Sequence, residues 1–159
     1  MKKINLIYGE GDVLHTHINI NPFAENADGN NIIRDDISNL DKHVDDAEVS
    51  ELVALDVIDY IPITKAEETI ENWVKKIRIG GRIIIGGTDL VEVCKSLSHY
   101  RLDITDANIL IHGEQSKPYL IKRVNFSSLG LSDYLSHKFN LNVLKRSVNN
   151  YKMFVEAQR

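Results

Sequence analysis

The chain has one cysteine, Cys94, in 159 residues. A lone thiol excludes an internal disulfide and a cysteine metal cluster. Long apolar runs are missing too: no segment approaches the ~20 residues a membrane-spanning helix needs. The N-terminus, MKKINLIYGEG, combines lysines with a few apolar residues, but the run stops at Tyr8. That is too short for a signal-peptide core, so a first strand is the better reading and a cytoplasmic location is expected. No repeat, coiled-coil heptad, low-complexity tract or linker appears, which predicts a single domain over residues 1–159. A basic excess is absent as well. Residues 1–62 hold 13 acids and 4 bases, a balance of −9, and residues 63–159 hold 10 acids and 15 bases, a balance of +5. An acidic half repels a phosphate backbone, which disfavours a broad nucleic-acid footprint. A dinucleotide fingerprint is incomplete, because Leu14 stands where Gly9-Glu10-Gly11 would need its third glycine.

What is present is an ordinary globular composition, 43% apolar and 26% charged. The clearest local signal runs from Thr64 to Asp89, TKAEETIENWVKKIRIGGRIIIGGTD. Thr64 and Glu67 have the spacing of a capping box, and Ala66, Ile70, Trp73, Val74 and Ile77 share one helical face. Acids come early and bases late, as the helix dipole favours. Gly80-Gly81 is expected to end this helix in a left-handed cap, before a buried strand through Ile83, Ile84 and Ile85. Helix, turn and strand in this order make half of a βαβ unit.

Other elements are coarser. Strands are expected at 4–8, 17–20, 32–33, 50–55, 82–87 and 107–111. Asn26 to Asn31 reads as a turn-rich loop. Asp89 is expected to cap a helix over 90–98, with Leu90, Val93, Cys94 and Leu97 inward. Cys94 then behaves as a small buried hydrophobe. Ser127 or Ser128 caps a helix to about Lys138, and 141–147 with 151–157 form a hairpin. The fold class expected is α/β: a Rossmann-like, doubly wound, mostly parallel sheet with helices on both faces and a C-terminal antiparallel hairpin. Such sheets take ligands at the carboxyl ends of their strands. Gly9 to Thr16 is short for a parallel crossover, which usually needs a dozen or more residues.

In order and spacing, these segments resemble the class I S-adenosylmethionine-dependent methyltransferases, and within them a small branch found among sugar and polysaccharide biosynthesis proteins. That branch's L-G-C-G and I-N-I-D are similar to Tyr8-Gly9-Glu10-Gly11 and Ile18-Asn19-Ile20-Asn21. Its D-I-T-N-L resembles Asp36-Ile37-Ser38-Asn39-Leu40, and its D-E-I-Y-A-S-H-V-L-E-H-I-P aligns without a gap on Ser50 to Pro62. L-K-P-G-G-K-L, P-D-L and Y-G-G-Q resemble Ile77 to Ile83, Thr88-Asp89-Leu90 and His112-Gly113-Glu114-Gln115. The resemblance covers almost the whole chain. It implies S-adenosyl-L-methionine as cofactor, held around Gly9, Glu10, Gly11, Asn21, Asp36 and Leu55, and a small-molecule or saccharide acceptor. A protein partner or a homo-oligomer stays open.

Departures from the family pattern bear on function. Glu10 adds a carboxylate where a small neutral residue is usual, close to where the cofactor's own carboxylate would lie. Asn21 replaces the acid that accepts the ribose hydroxyls, giving up charge-assisted strength. The branch's E-H pair becomes Asp59-Tyr60. Asp56, Asp59 and His112 are the candidate catalytic residues, able to orient or deprotonate an acceptor hydroxyl; the plain alternatives are a cap or turn for the aspartates and a polar loop for His112. Gly86-Gly87 either opens room for a ligand or relieves packing. His15 and His17, at i and i+2, would share a strand face, but no carboxylate or cysteine has supporting spacing, so no metal is expected. Lys117, Lys122 and Arg123 either line an anionic substrate or belong to the surface, the latter favoured. A fold kept for binding or assembly after loss of catalysis is the alternative function.

Overall fold

A computed structural model describes residues 1–25 and 31–159. All of the expected 26–31 loop except Asn31 lies outside the described residues. The elements are β1 (Lys2–Leu6), β2 (Ile18–Ile20), β3 (Ile32–Ile33), β4 (Val49–Ala54), α1 (Ile63–Lys76), β5 (Ile77–Thr88), α2 (Leu90–Ser98), α3 (Ile104–His112), α4 (Ser128–Phe139), β6 (Asn142–Asn149) and β7 (Lys152–Gln158). Short 3-10 turns occupy Ile58–Tyr60 and Pro118–Leu120.

The strands form one sheet in the order β3-β2-β1-β4-β5-β7-β6. The first five run parallel, and β7 lies antiparallel to both neighbours. The Rossmann-like, mostly parallel sheet with its C-terminal hairpin is therefore the observed architecture. The chain starts in the middle, winds outward through β2 and β3, then returns to wind the other way. The switch point falls between β1 and β4.

Period-2 alternation sorts the two faces. Ile4, Leu6, Leu52, Ala54, Ile83, Ile85, Val155 and Ala157 belong to one buried cluster with Ile70, Trp73 and Val74 of α1 and Leu131 and Leu135 of α4. Trp73 is fully buried and its Nε1 donates to the Ile37 carbonyl at 2.7 Å. The other face carries a row of charges across four strands. Lys3 meets Glu51 at 3.2 Å, Glu51 meets Arg82 at 2.7 Å, and Arg82 meets Glu156 at 2.9 Å. The connections β1–β2 and β3–β4 carry no helix, nor do the described residues of β2–β3. The helical cover expected from the alternation thus begins only after β4: α1 and α4 pack into the buried apolar cluster, while the buried residues of α2 and α3, Val93, Ser96 and Ala107, lie outside it.

Buried amides replace the missing helix of the β1–β2 connection. Asn19 is fully buried. Its Oδ1 accepts from Asn5 Nδ2 at 2.8 Å and from the Leu14 backbone N–H at 3.0 Å. Its Nδ2 donates to the carbonyls of Leu14 and His17, at 3.0 and 3.1 Å. Asn5 Nδ2 also donates to the Asp12 carbonyl at 2.8 Å. The polar backbone of a short, irregular crossover is satisfied by side chains from the strands it joins.

Several local expectations are corrected. The helix α1 starts at Ile63 with Pro62 as its N-cap and no side-chain cap bond. Thr64 is then already inside the first turn, so the Thr64–Glu67 capping box does not form. The helix ends at Lys76, with Ile77 extended and already paired with Val49. Gly80 does take a left-handed φ of 76°, but within β5. There the register jumps from Val49↔Ile77 to Glu51↔Arg82, and the glycine pair absorbs the bulge. The strand expected at 107–111 is helix α3, capped by Asp103 through the Thr105 and Asp106 N–H groups. Only Ala107 of α3 is buried, so no apolar stripe marks it. Cys94 is exposed, because the buried residues of α2 are Val93 and Ser96. Asp89 and Ser127 cap α2 and α4 as expected. The hairpin turns at Asn150 and Tyr151, both with positive φ.

Candidate functional site

Four segments converge at the carboxyl ends of the central strands: the turn 9–11 after β1, Asn21 after β2, Leu55 to Tyr60 after β4, and Thr88 at the end of β5. The segment 113–125 folds back over them. Arg123 N–H donates to the Asp59 carbonyl at 2.7 Å, and Lys122 N–H to the His112 carbonyl at 3.0 Å.

Asp59 is the most constrained polar side chain here. It is 1% exposed. Its Oδ2 accepts from the Thr88 N–H at 2.8 Å and pairs with Lys122 Nζ at 3.2 Å. Lys122 also donates to the Leu110 carbonyl at 3.0 Å. Oδ1 of Asp59 is buried without a hydrogen-bond partner. Burial pushes its carboxyl above the usual range, and Lys122 offsets only part of that. A Cβ on Gly87 would lie 2.6 Å from Oδ1, and one on Gly86 would lie 2.8 Å from the Leu55 side chain. The Gly86-Gly87 pair therefore serves close packing, the second of its two readings.

Asp59 lines a cleft of about 280 Å³ with Tyr8, Glu10, Asp56, Tyr60 and Lys122 among its walls. Asp56 is exposed and pairs with Lys152 at 2.7 Å at the mouth. The Tyr60 hydroxyl is held above its usual value by burial first and then by the charges of Asp59, Asp56 and Glu114. His112 is exposed at the end of α3 and is not among the residues lining this cleft.

Gly9 has φ 78°, the left-handed conformation that favours glycine. Glu10, between the two glycines, borders three clefts at once and meets Lys117 at 3.2 Å. Gly11 and Leu55 line a cleft of about 240 Å³ beside β1 and β4, with Leu55 47% exposed. Asn21 is buried and its amide is turned onto Gly9: Oδ1 accepts from the Gly9 N–H at 3.1 Å, and Nδ2 donates to the Gly9 carbonyl at 2.9 Å. Asp36 is exposed, its carboxylate accepting from the Ser38 N–H and hydroxyl at 2.9 and 2.6 Å. Thus Glu10, Asp56 and Asp59 share one cleft, Gly11 and Leu55 a neighbouring one, and Gly9 and Asn21 a third of about 480 Å³.

Sequence reasoning missed the aromatic group between these clefts. Tyr60 stacks on Tyr8 at 5.1 Å, Tyr8 meets Phe23 edge-on at 4.9 Å, and Phe23 stacks on Tyr119 at 4.6 Å. Four aromatic rings from four separate segments leave no periodic signal. Lys122, expected at the surface, is instead seated on Asp59. His17 is buried against Glu51 at 3.1 Å while His15 lies exposed before β2, so the two do not share a strand face. Among the described residues, no group of three His, Cys, Asp or Glu side chains is arranged to hold a metal ion, and no helix is long and apolar enough to cross a membrane.

No family model matches the chain, and no curated protein matches it. Solved structures do. A 1,6-didemethyltoxoflavin N1-methyltransferase of Burkholderia thailandensis, with 1,6-didemethyltoxoflavin and S-adenosylhomocysteine bound, superposes with a TM-score of 0.59 at 9% identity, over 99% of this chain and 71% of that one. An S-adenosylmethionine-dependent methyltransferase of Thermotoga maritima gives 0.64 at 15%, over 99% and 81%. The magnesium protoporphyrin IX methyltransferase of Synechocystis, with S-adenosylhomocysteine bound, gives 0.59 at 11%, over 99% and 74%. The chain spans only about half of longer methyltransferase chains that it matches. At these identities the likeness establishes the fold, that of the class I methyltransferases, and leaves activity to the residues.

Proposed function

We propose that the chain is an S-adenosylmethionine-dependent methyltransferase acting on a small or saccharide-like acceptor. The observation that carries this reading is the joining of a glycine turn after β1 to a cleft floored by a buried, half-partnered carboxylate, at the switch point of a methyltransferase-type sheet. When bound, S-adenosylmethionine supplies a methyl group on sulfonium sulfur, whose departure needs no acid.

On this reading Gly9, Glu10 and Gly11 would hold the cofactor through the turn backbone, Leu55 would give it apolar contact, Asp36 would accept from the adenine amine, and Asn21 would offer an acceptor to the ribose. The fit is partial. Asp36 and Leu55 are open to solvent, while the Asn21 amide is already spent on Gly9. Catalysis is then mainly positioning of the acceptor. Asp59 is the candidate base for an acceptor hydroxyl, its raised pKa making it a better base than a free carboxylate; because Oδ1 is buried, the acceptor must open the floor of the cleft to reach it. Lys122 and the Thr88 N–H hold Oδ2 and fix the carboxylate plane. Asp56 with Lys152 sets the polarity of the mouth, and His112 contributes at most from outside the cleft.

The Asn21–Gly9 pair favours a second reading, a methyltransferase-type fold kept for binding after loss of catalysis. Thermal shift with S-adenosylmethionine and S-adenosylhomocysteine separates the two. Ligand at about 100 times its Kd stabilises by about 2.7 kcal/mol, a shift of several degrees. Stabilisation by both ligands supports methyl transfer. No shift at millimolar concentrations of either supports the binding-only reading.

A further inference from the structure

We propose that residues 114–121 form a strap with Tyr119 as its plug, and that an S-adenosyl ligand reaches the face of Gly9 only by displacing it. The inference rests on the methyltransferase reading above. The Tyr119 ring lies where a Gly9 side chain would begin: its Cε2 and Cδ2 are 2.6 and 2.7 Å from the position of a Gly9 Cβ. The space that glycine leaves free for a close backbone approach is thus filled by the chain itself. The same ring stacks on Phe23 at 4.6 Å with 25° between planes. Lys117 sits 5.5 Å from the Tyr119 ring centre and meets Glu10 at 3.2 Å. Ring, stack and ion pair all latch one short segment onto one turn.

The latch is light. The Pro118–Leu120 turn has no buried residue. Glu10 and Lys117 keep 73% and 50% of their side chains exposed, and such ion pairs contribute little. The flanks are firmer. Lys122 N–H is bonded to the His112 carbonyl, and Gly113 turns at φ 81° against the Leu120 carbonyl. Gln115 N–H donates to the Leu120 carbonyl at 3.3 Å and closes the loop on itself. A closed loop between two anchored ends, with a glycine at one of them, can lift as a unit without disturbing the core. Its closed state reduces apparent affinity by the fraction of molecules that are open.

Calorimetric titration of S-adenosylhomocysteine into wild type, Tyr119→Ala, Tyr119→Phe and Lys117→Ala tests this. We expect weak binding by wild type and Tyr119→Phe, at least about tenfold tighter binding by Tyr119→Ala, and a smaller gain for Lys117→Ala. Amide hydrogen exchange over residues 114–121 should rise when wild type binds. Binding by wild type with equal or weaker affinity in Tyr119→Ala overturns the strap and leaves the methyltransferase reading standing. Slower exchange over 114–121 on binding does the same, by making the segment a clamp. No binding by any variant overturns both.

Discussion

The β1–β2 crossover makes a sharp test, because one side chain replaces a helix. Asn19→Leu keeps the volume and removes the polar atoms. Five hydrogen bonds disappear: two accepted by Oδ1, from Asn5 and Leu14, and three donated by Nδ2, to the carbonyls of Leu14, His17 and Asn31. They do not all leave orphans. Asn5 Nδ2 keeps the Asp12 carbonyl, the Leu14 carbonyl keeps the His17 N–H, and the His17 carbonyl keeps Asn31 Nδ2. The Leu14 N–H loses the partner that this network gives it. One stranded donor costs about 1–3 kcal/mol and the remaining lost bonds roughly 0.5 each, so the variant should lose at least about 3 kcal/mol. For a chain of this size that is a fall in Tm of roughly 6–12 °C. Thermal unfolding followed by far-ultraviolet circular dichroism reads it directly. A Tm within about 2 °C of wild type would refute the claim that buried amides hold this crossover.

Three further outcomes are expected. Trp73→Ala empties the centre of the α1 contact and strands the Ile37 carbonyl, and should lose about 3–5 kcal/mol in the same unfolding assay; a wild-type midpoint contradicts the packing. Asp89 caps α2 through the Glu92 N–H at 3.0 Å and reaches the Ser128 N–H of α4 at 2.8 Å; burial raises its carboxyl, but these donors outweigh it and hold it below the usual range. Its stabilisation is complete above the ordinary carboxylate range and is lost as pH falls through the depressed value, so Asp89→Asn should lose about 1–2 kcal/mol at neutral pH, with a gap that narrows below about pH 4; a pH-independent gap in Tm contradicts this. Asn21→Asp removes the donor to the Gly9 carbonyl and sets a carboxylate against it, so it should lower Tm; an unchanged or higher Tm would show that Asn21 is not a latch for the turn.

What the sequence made legible was local. Asp89 and Ser127 are caps because short oxygen-bearing side chains precede helical runs, and Trp73 is buried because its phase matches Ile70 and Val74. The isoleucine run of β5 and the order of motifs gave the sheet. What stayed hidden was set by distant partners. Gly80 reads as a helix stop, yet Ile77 already pairs with Val49 and Gly80 N–H bonds to the Arg159 carbonyl, so the glycine serves a bulge. Helix α3 buries Ala107 alone and leaves no stripe to read. Asn21 was legible as a departure from an acid, but its two bonds to Gly9 were not. Tyr119, close in space to Gly9 and far in sequence, carried no signal at all.

The most direct test of the central claim is a titration of S-adenosylhomocysteine into the 15N-labelled protein, whose 18.1 kDa mass suits residue-resolved amide spectra. The account predicts shifts centred on Gly9, Gly11, Asn21, Asp36 and Leu55, with a second set over Lys117 to Ile121 as the strap moves. Spectra unchanged at millimolar ligand, or shifts confined to residues away from these strand ends, would contradict it.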